Sequence, residues 1–259
     1  MIEYPYSLAG LVVGIVVGLT GVGGGSLMTP ILVLGFGVPP LTAVGTDLLF
    51  AGITKCGGVA SHALKGNVDW RITGLLAAGS VPGAAAAIAL LSVLPPASGS
   101  ARALVSTALG IMLVLTAIAL AFRSRLLEWA RARGPGGWLA ANPRKATIAT
   151  GAFIGVAVSF SSVGAGAVGV TALVLLFPAL ATVRIVGTDI AHAVPITLIA
   201  GIGHAILGNT DWLLLSSLLV GSIPGILVGS HLAARLPERI LRHSLIAILL
   251  FAGGKLVGA

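Results

Sequence analysis

Eight long apolar runs leave this chain few folds to choose from. They lie at about 8–37, 41–64, 72–94, 102–122, 146–178, 183–207, 213–233 and 243–258, with the charged and turn-forming residues gathered between them. Only 8% of the residues are charged and 57% are hydrophobic, against roughly a quarter charged in an ordinary soluble domain. That balance excludes a water-soluble globule and makes the bilayer the solvent these runs require. The runs are continuous in Leu, Ala and Val, not alternating, and aromatic residues make up just 5%. A transmembrane β-barrel with aromatic girdles is therefore excluded too. Gly and Pro are plentiful without any Gly-X-Y period, which suits membrane helices. The expected fold class is an all-α polytopic membrane protein.

The formal charge of +8 does not point to nucleic acid, because the basic residues sit at run ends and peak in one connector. Membrane orientation accounts for them. Cys56 is alone, so no intrachain disulfide or thiolate metal cluster is available, and no metal or cofactor is expected. Met1 to Ser7 contains Glu3 and no Lys or Arg, unlike the basic start of a signal peptide, so the first run reads as retained structure.

The runs read as four and then four again, and the second set repeats the first. Val44-Gly45-Thr46-Asp47 recurs as Val186-Gly187-Thr188-Asp189, and His62 as His204. Gly66-Asn67-Val68-Asp69-Trp70 recurs as Gly208-Asn209-Thr210-Asp211-Trp212, and Gly79-Ser80-Val81-Pro82-Gly83 as Gly221-Ser222-Ile223-Pro224-Gly225. All four are displaced by 142 positions, and the preceding segment aligns at 141, setting Gly10 on Gly151, Gly14 on Gly155 and Gly23-Gly24-Gly25 on Gly164-Ala165-Gly166. The chain is a duplicated unit. Its expected parts are an N-terminal transmembrane repeat (1–122), a basic cytoplasmic linker (123–145) and a C-terminal transmembrane repeat (146–259).

The first run of each half is anomalous. Run one would be ~45 Å long as a straight helix, too long for a simple span, and Gly18, Gly21, Gly23, Gly24 and Gly25 interrupt it. Run five carries Ser159, Ser161, Ser162, Gly164 and Gly166 at the matching depth. Each is a kinked span or a re-entrant hairpin. With hairpins and the linker inside, the Lys65–Arg71 and Arg235–Arg242 turns also fall inside, and the neutral turns Pro95–Ala101 and Gly208–Asp211 outside. With full crossings, the Arg235–Arg242 turn is forced outside, against the positive-inside tendency. The expected arrangement is two inverted repeats of about four segments each, both chain ends external.

Broken segments at matching places in two halves point to a transporter's binding site, since unwound backbone at membrane depth survives only where it lines a cavity or is buried in protein. The half-helix after each break presents unpaired amides and a positive dipole end, which favour an anion. Candidate ligands are therefore Gly23, Gly24, Gly25 and Ser26 in the first half, and Ser161, Ser162, Val163, Gly164 and Gly166 in the second. Lys55 adds charge and has no basic counterpart, since Thr197 stands in its place. Ionisable groups in apolar runs default to function. Asp47, Asp189 and His192 are assigned to coupling, with anchoring of the broken loops as the structural alternative for the acids, and His62 and His204 to helix ends. Asp69 and Asp211 are expected to cap the helices that Trp70 and Trp212 anchor at the interface. Pro82 and Pro224 are expected to kink their spans and act in gating.

The Gly23-Gly24-Gly25-Ser26 stretch, Gly45-Thr46-Asp47, the Gly66-Asn67-Val68-Asp69-Trp70 turn, the Gly79-Ser80-x-Pro82-Gly83 segment and the duplication of all of them resemble the TauE/SafE sulfite exporter family, also called the toluene sulfonate uptake permeases. The resemblance implies transport of sulfur-containing anions, such as sulfite or organosulfonates, across a prokaryotic inner membrane without ATP. Consistently, no GxxxxGK[ST] motif is present. The expected function is a secondary transporter, exporter or permease, holding its anion near the bilayer midplane between the two half-helix N-termini, with H⁺ or Na⁺ as coupling ion. Its partners are that anion and the bilayer, with a homo-oligomer left open. The rival readings are an anion channel and, more remotely, an intramembrane hydrolase pairing Ser26, Ser161 or Ser162 with His62, His192 or His204.

Overall fold

The computed structural model of the chain describes residues 3–20, 25–94, 99–133, 141–232 and 238–257. Among them there are helices and no strands. The first repeat supplies α1 (Tyr4–Thr20), α2 (Gly25–Pro30, continued by a π-helical turn Ile31–Gly35), α3 (Pro40–Leu64), α4 (Trp70–Val93) and α5 (Gly99–Arg133). The second supplies α6 (Pro143–Ser161), α7 (Ala167–Leu176), α8 (Thr182–Ile206), α9 (Trp212–Leu232) and α10 (Glu238–Val257). Four of them, α4, α5, α8 and α9, are long and apolar enough to cross a membrane among the described residues. Helix α5 runs on past residue 122 to Arg133, so the start of the basic connector is helical.

The repeated Gly-Asn-x-Asp-Trp turn explains itself at atomic scale. Gly66 (φ +68°) and Gly208 (φ +75°) take the left-handed conformation that ends α3 and α8. Behind them the Gly66 amide bonds Ala63 O (3.0 Å) and the Asn67 amide His62 O (2.9 Å), with Gly208 to Ala205 O (3.0 Å) and Asn209 to His204 O (2.8 Å) in the other repeat. This paired closure satisfies the last helical carbonyls, and glycine is the residue that adopts it without strain. Asp69 Oδ1 then accepts from the Ile72 amide (3.2 Å), and Asp211 Oδ1 from the Leu213 and Leu214 amides (2.9 Å each), capping α4 and α9. Trp70 and Trp212 remain exposed.

The halves interlock reciprocally. Helix α1 packs on α9 as α6 packs on α4, while α3 packs on its own counterpart α8, and α5 on α10. In lipid, helices gain no hydrophobic drive from meeting each other, so close backbone approach must hold them. At Gly10, Gly14, Gly221, Gly225 and Gly229 a Cβ would overlap the backbone across the α1–α9 seam, and Gly79, Gly83, Gly151 and Gly155 do the same between α4 and α6. The Gly79-x-x-x-Gly83 and Gly221-x-x-x-Gly225 pairs are thus contact faces. Pro82 and Pro224 project outward from uninterrupted helices.

Contact order along these seams gives direction. Gly45 meets Asn209 while Gly52 meets Leu198 and Gly187 meets Asn67, so α3 and α8 are antiparallel. Leu76 meets Gly151 and Ser80 meets Gly155, so α4 and α6 are parallel. Ser80 meets His192 and Ile88 meets Gly203, so α4 and α8 are parallel as well. Helices α6 and α8 therefore run the same way, and α7 between them must run back. Segments α6 and α7, ~28 Å and ~15 Å long at 1.5 Å per residue, form a hairpin of unequal arms.

Candidate functional site

The second break is built from local geometry. Helix α6 ends at Ser161, whose hydroxyl is engaged by Ala157 O (2.6 Å) and the Val163 amide (3.1 Å). Ser162 is left-handed (φ 56°), and Gly164 (φ 124°) and Gly166 (φ 143°) adopt values that L side chains rarely reach. Helix α7 then starts, its first helical bond running from the Val170 amide to Gly166 O (2.8 Å). Ser162, Val163 and Gly164 are buried, with Ser162 beside the Asp47 carboxyl. In the first half, Gly23 and Gly24 lie outside the described residues. Gly25 opens α2, and Ser26 is buried in its first turn.

A cavity of about 250 Å³ lies at the second break. Ala165, Gly166 and Ala167 form one wall, so the positive end of α7 faces it. Lys55 and Thr54 of α3, Arg123 of α5, Thr171 of α7 and Asp189 of α8 supply its other polar groups, amid Val17, Leu120, Val186, Ile190 and Ile226. Lys55 Nζ donates to Ala165 O at 3.2 Å. The Asp189 side chain packs directly on Gly169 in the first turn of α7, where any Cβ would overlap Oδ1. Lys55 feels the charges of both Asp189 and Asp47.

Among the described residues, the equivalent place in the first half is packed. Asp47 accepts a hydrogen bond from Thr29 of α2 and is fully buried. Position 29 corresponds to Val170, so Asp189 lacks that hydroxyl. Val17, Thr54, Gly58, Val186, Ile190 and Ile226 line the cavity. Their counterparts Val158, Ile196, Ala200, Val44, Leu48 and Ala84 each have 0% exposure and form one packed cluster. Among the described residues, one arrangement of elements is thus hollow in one half and packed in the other.

Of the candidates, the structure brings Lys55, Gly166 and Asp189 together at the cavity and sets Ser161, Ser162, Val163 and Gly164 in the packed wall behind it. Arg123, Thr54, Thr171 and the Ala165 carbonyl join them unannounced by the sequence. Arg123 reads there as linker charge, and a backbone carbonyl leaves no sequence signal. His192 bonds Ser80 (2.9 Å) in the α4–α8 seam, and His204 bonds Ser159 O (2.9 Å). Neither histidine reaches the serines a hydrolase would have paired with it. The Gly-Thr-Asp motif also binds across halves. Thr188 Oγ1 accepts the Asp69 amide (2.9 Å), and Thr46 Oγ1 the Asp211 amide (3.0 Å).

The sequence model of the family described as Sulfite exporter TauE/SafE matches residues 6–256. The probable membrane transporter protein YjnA of Bacillus subtilis (strain 168) is 42% identical over 253 residues, covering 96% of this chain and 98% of its own. A second protein of that organism, the probable membrane transporter protein YdhB, is 29% identical over 93% of this chain and 94% of its own. A probable membrane transporter protein of Xylella fastidiosa (strain 9a5c) is 27% identical over 88% of this chain and 83% of its own. No solved structure matches the chain. With a whole-chain match, a broken-helix core and several membrane-crossing helices, the chain belongs to the TauE/SafE family and is a multi-pass membrane transporter, not an enzyme.

Proposed function

We propose that the chain is a secondary transporter of small sulfur-containing anions, sulfite or organosulfonates, and that the anion is held in the cavity at the second break. The observation that carries this reading is the joint presence there of the Lys55 ammonium and the positive end of α7. An anion in a largely apolar hollow needs both a counter-charge and donors aimed at it. The first-half residues Gly23, Gly24, Gly25 and Ser26 are the further candidate ligands, at the other half-helix N-terminus. The chain divides into repeats 1–122 and 146–259 about the linker 123–145, and the repeats are inverted in the membrane. Antiparallel packing of the equivalent helices α3 and α8 supports inversion, because an axis relating antiparallel spans lies in the membrane plane. Access alternates when the two halves exchange their arrangements, which closes the present cavity and opens its packed counterpart.

The test is a thermal-shift panel in detergent with sulfite, thiosulfate, sulfate, sulfoacetate and taurine. At least one sulfur anion should stabilise the protein, and Lys55→Met should remove that shift while leaving the ligand-free protein folded. An unchanged shift in Lys55→Met takes the anion out of this cavity. Accumulation against a concentration gradient in proteoliposomes separates a carrier from a channel.

A further inference from the structure

We propose that Asp189 is the proton site of the transporter, and that one proton enters the cavity with each anion that pairs with Lys55. The inference rests on the reading of the cavity as the anion site. It starts from the difference between two equivalent carboxyls. Asp47 is fully buried and fixed by the Thr29 hydroxyl, and its surroundings are packed. Asp189 is 3% exposed, lines a hollow, has Val170 where Thr29 would stand, and accepts no hydrogen bond from any described residue. Repeat one has made its acid a structural anchor. Repeat two has left its acid facing the site.

The charges that face Asp189 are few. Helix α3 presents Lys55, and α5 presents Arg123 at the cavity rim. Helix α7 contains no titratable residue, and α1 and α9 contribute Val17 and Ile226. On α8 itself His192 points away, to Ser80 of α4. Asp47 acts on the same ammonium. Asp189 thus occupies the place a substrate anion needs, within the field of Lys55 and against the first turn of α7. An incoming anion beside an ionised Asp189 in this largely apolar hollow meets a repulsion that Lys55, already acted on by Asp47, offsets only in part. A proton from solution, bound to the Asp189 carboxylate, removes the resident charge and leaves Lys55 and the helix end to the incoming anion. When both enter together, the cavity keeps its net charge for a monoanion and gains one negative charge instead of two for a dianion. A sodium ion fits this place poorly. It requires several oxygen ligands, and the Lys55 ammonium, held on Ala165 O, would repel a second cation there.

The experiment uses the full-length protein in proteoliposomes, with the membrane potential clamped by potassium and valinomycin. Radiolabelled thiosulfate and sulfoacetate serve as probes, since both stay fully ionised near neutral pH and any pH effect belongs to the protein. Counterflow at equal pH reads binding and exchange; accumulation under an inwardly directed proton gradient reads coupling. Wild type should accumulate label about tenfold per pH unit at the limit of one-to-one coupling. Asp189→Asn should keep counterflow and show no gradient-driven accumulation. Accumulation by Asp189→Asn equal to wild type overturns the proposal, as does wild-type accumulation that is indifferent to the proton gradient. Loss of both readouts in Asp189→Asn also overturns it, making Asp189 a binding or packing group. Absence of wild-type counterflow with either probe instead overturns the cavity reading on which the proposal stands.

Discussion

Lys55 sits past the middle of α3, in a span whose counterpart carries Thr197 at that position. A cation at such depth is retained only with a partner, and the partners found are a backbone carbonyl and the charges of two carboxyls, an arrangement an anion can displace in part. Lys55→Met should therefore abolish anion-dependent stabilisation with little effect on yield, as read by fluorescence size-exclusion and thermal shift. The motif threonines are a different kind of residue. Thr188 uses its hydroxyl to accept the Asp69 amide, joining the turn after α3 to the start of α8. Thr188→Val keeps the shape and removes the acceptor, at a cost of about 1 kcal/mol. A lower unfolding temperature with anion affinity unchanged is the expected outcome. Sequence alone marks both threonines only as members of a repeated motif, because what they touch lies more than a hundred residues away in the other half.

Among elements, glycine does two separate jobs that look alike in sequence. At the second break it permits the backbone angles of Gly164 and Gly166, which end one helix and aim the next at the cavity. Along α1, α4, α6 and α9 it removes a side chain that would strike a facing carbonyl. Position decides the cost of substitution. At Gly221 a Cβ would overlap the Ser7 carbonyl, whereas at Gly57 nothing lies within 4 Å. Gly221→Val should separate α1 from α9 and sharply reduce folded yield, and Gly57→Val should be tolerated; both are read by monodisperse yield in detergent. The break in run five was legible because its small residues fall in register with those of run one, and the structure interrupts the helix there. Which side of that break is hollow was not legible. The hollow depends on how Arg123 and α5 lie against it, and on Val170 replacing Thr29, a difference that says nothing until Asp47 is seen to need the hydroxyl.

For the whole molecule, the decisive property is orientation of the two halves. The proposed inversion, which the antiparallel α3–α8 pair and the back-running α7 support, gives an odd number of crossings per half if α3, α4 and α5 each span. The basic turns then share one side with the linker, as the positive-inside tendency favours. Parallel halves would move the Gly208–Asp211 turn to the linker side, so this turn discriminates. In a Cys56→Ala background, Ser100→Cys and Thr210→Cys should react with a membrane-impermeant maleimide applied to spheroplasts, whereas Lys65→Cys and Lys145→Cys should react only after permeabilisation. Protection of Thr210→Cys until permeabilisation would establish parallel halves. The same background reports on alternation. Ala200 lies in the packed counterpart of the cavity and Gly58 in the cavity itself. If the halves exchange arrangements during transport, Ala200→Cys should react from outside at a rate that rises when a transported anion is supplied, while Gly58→Cys becomes slower to label from the linker side. Equal and anion-independent labelling at both positions would describe a static pore, because a pore has no closed counterpart to open.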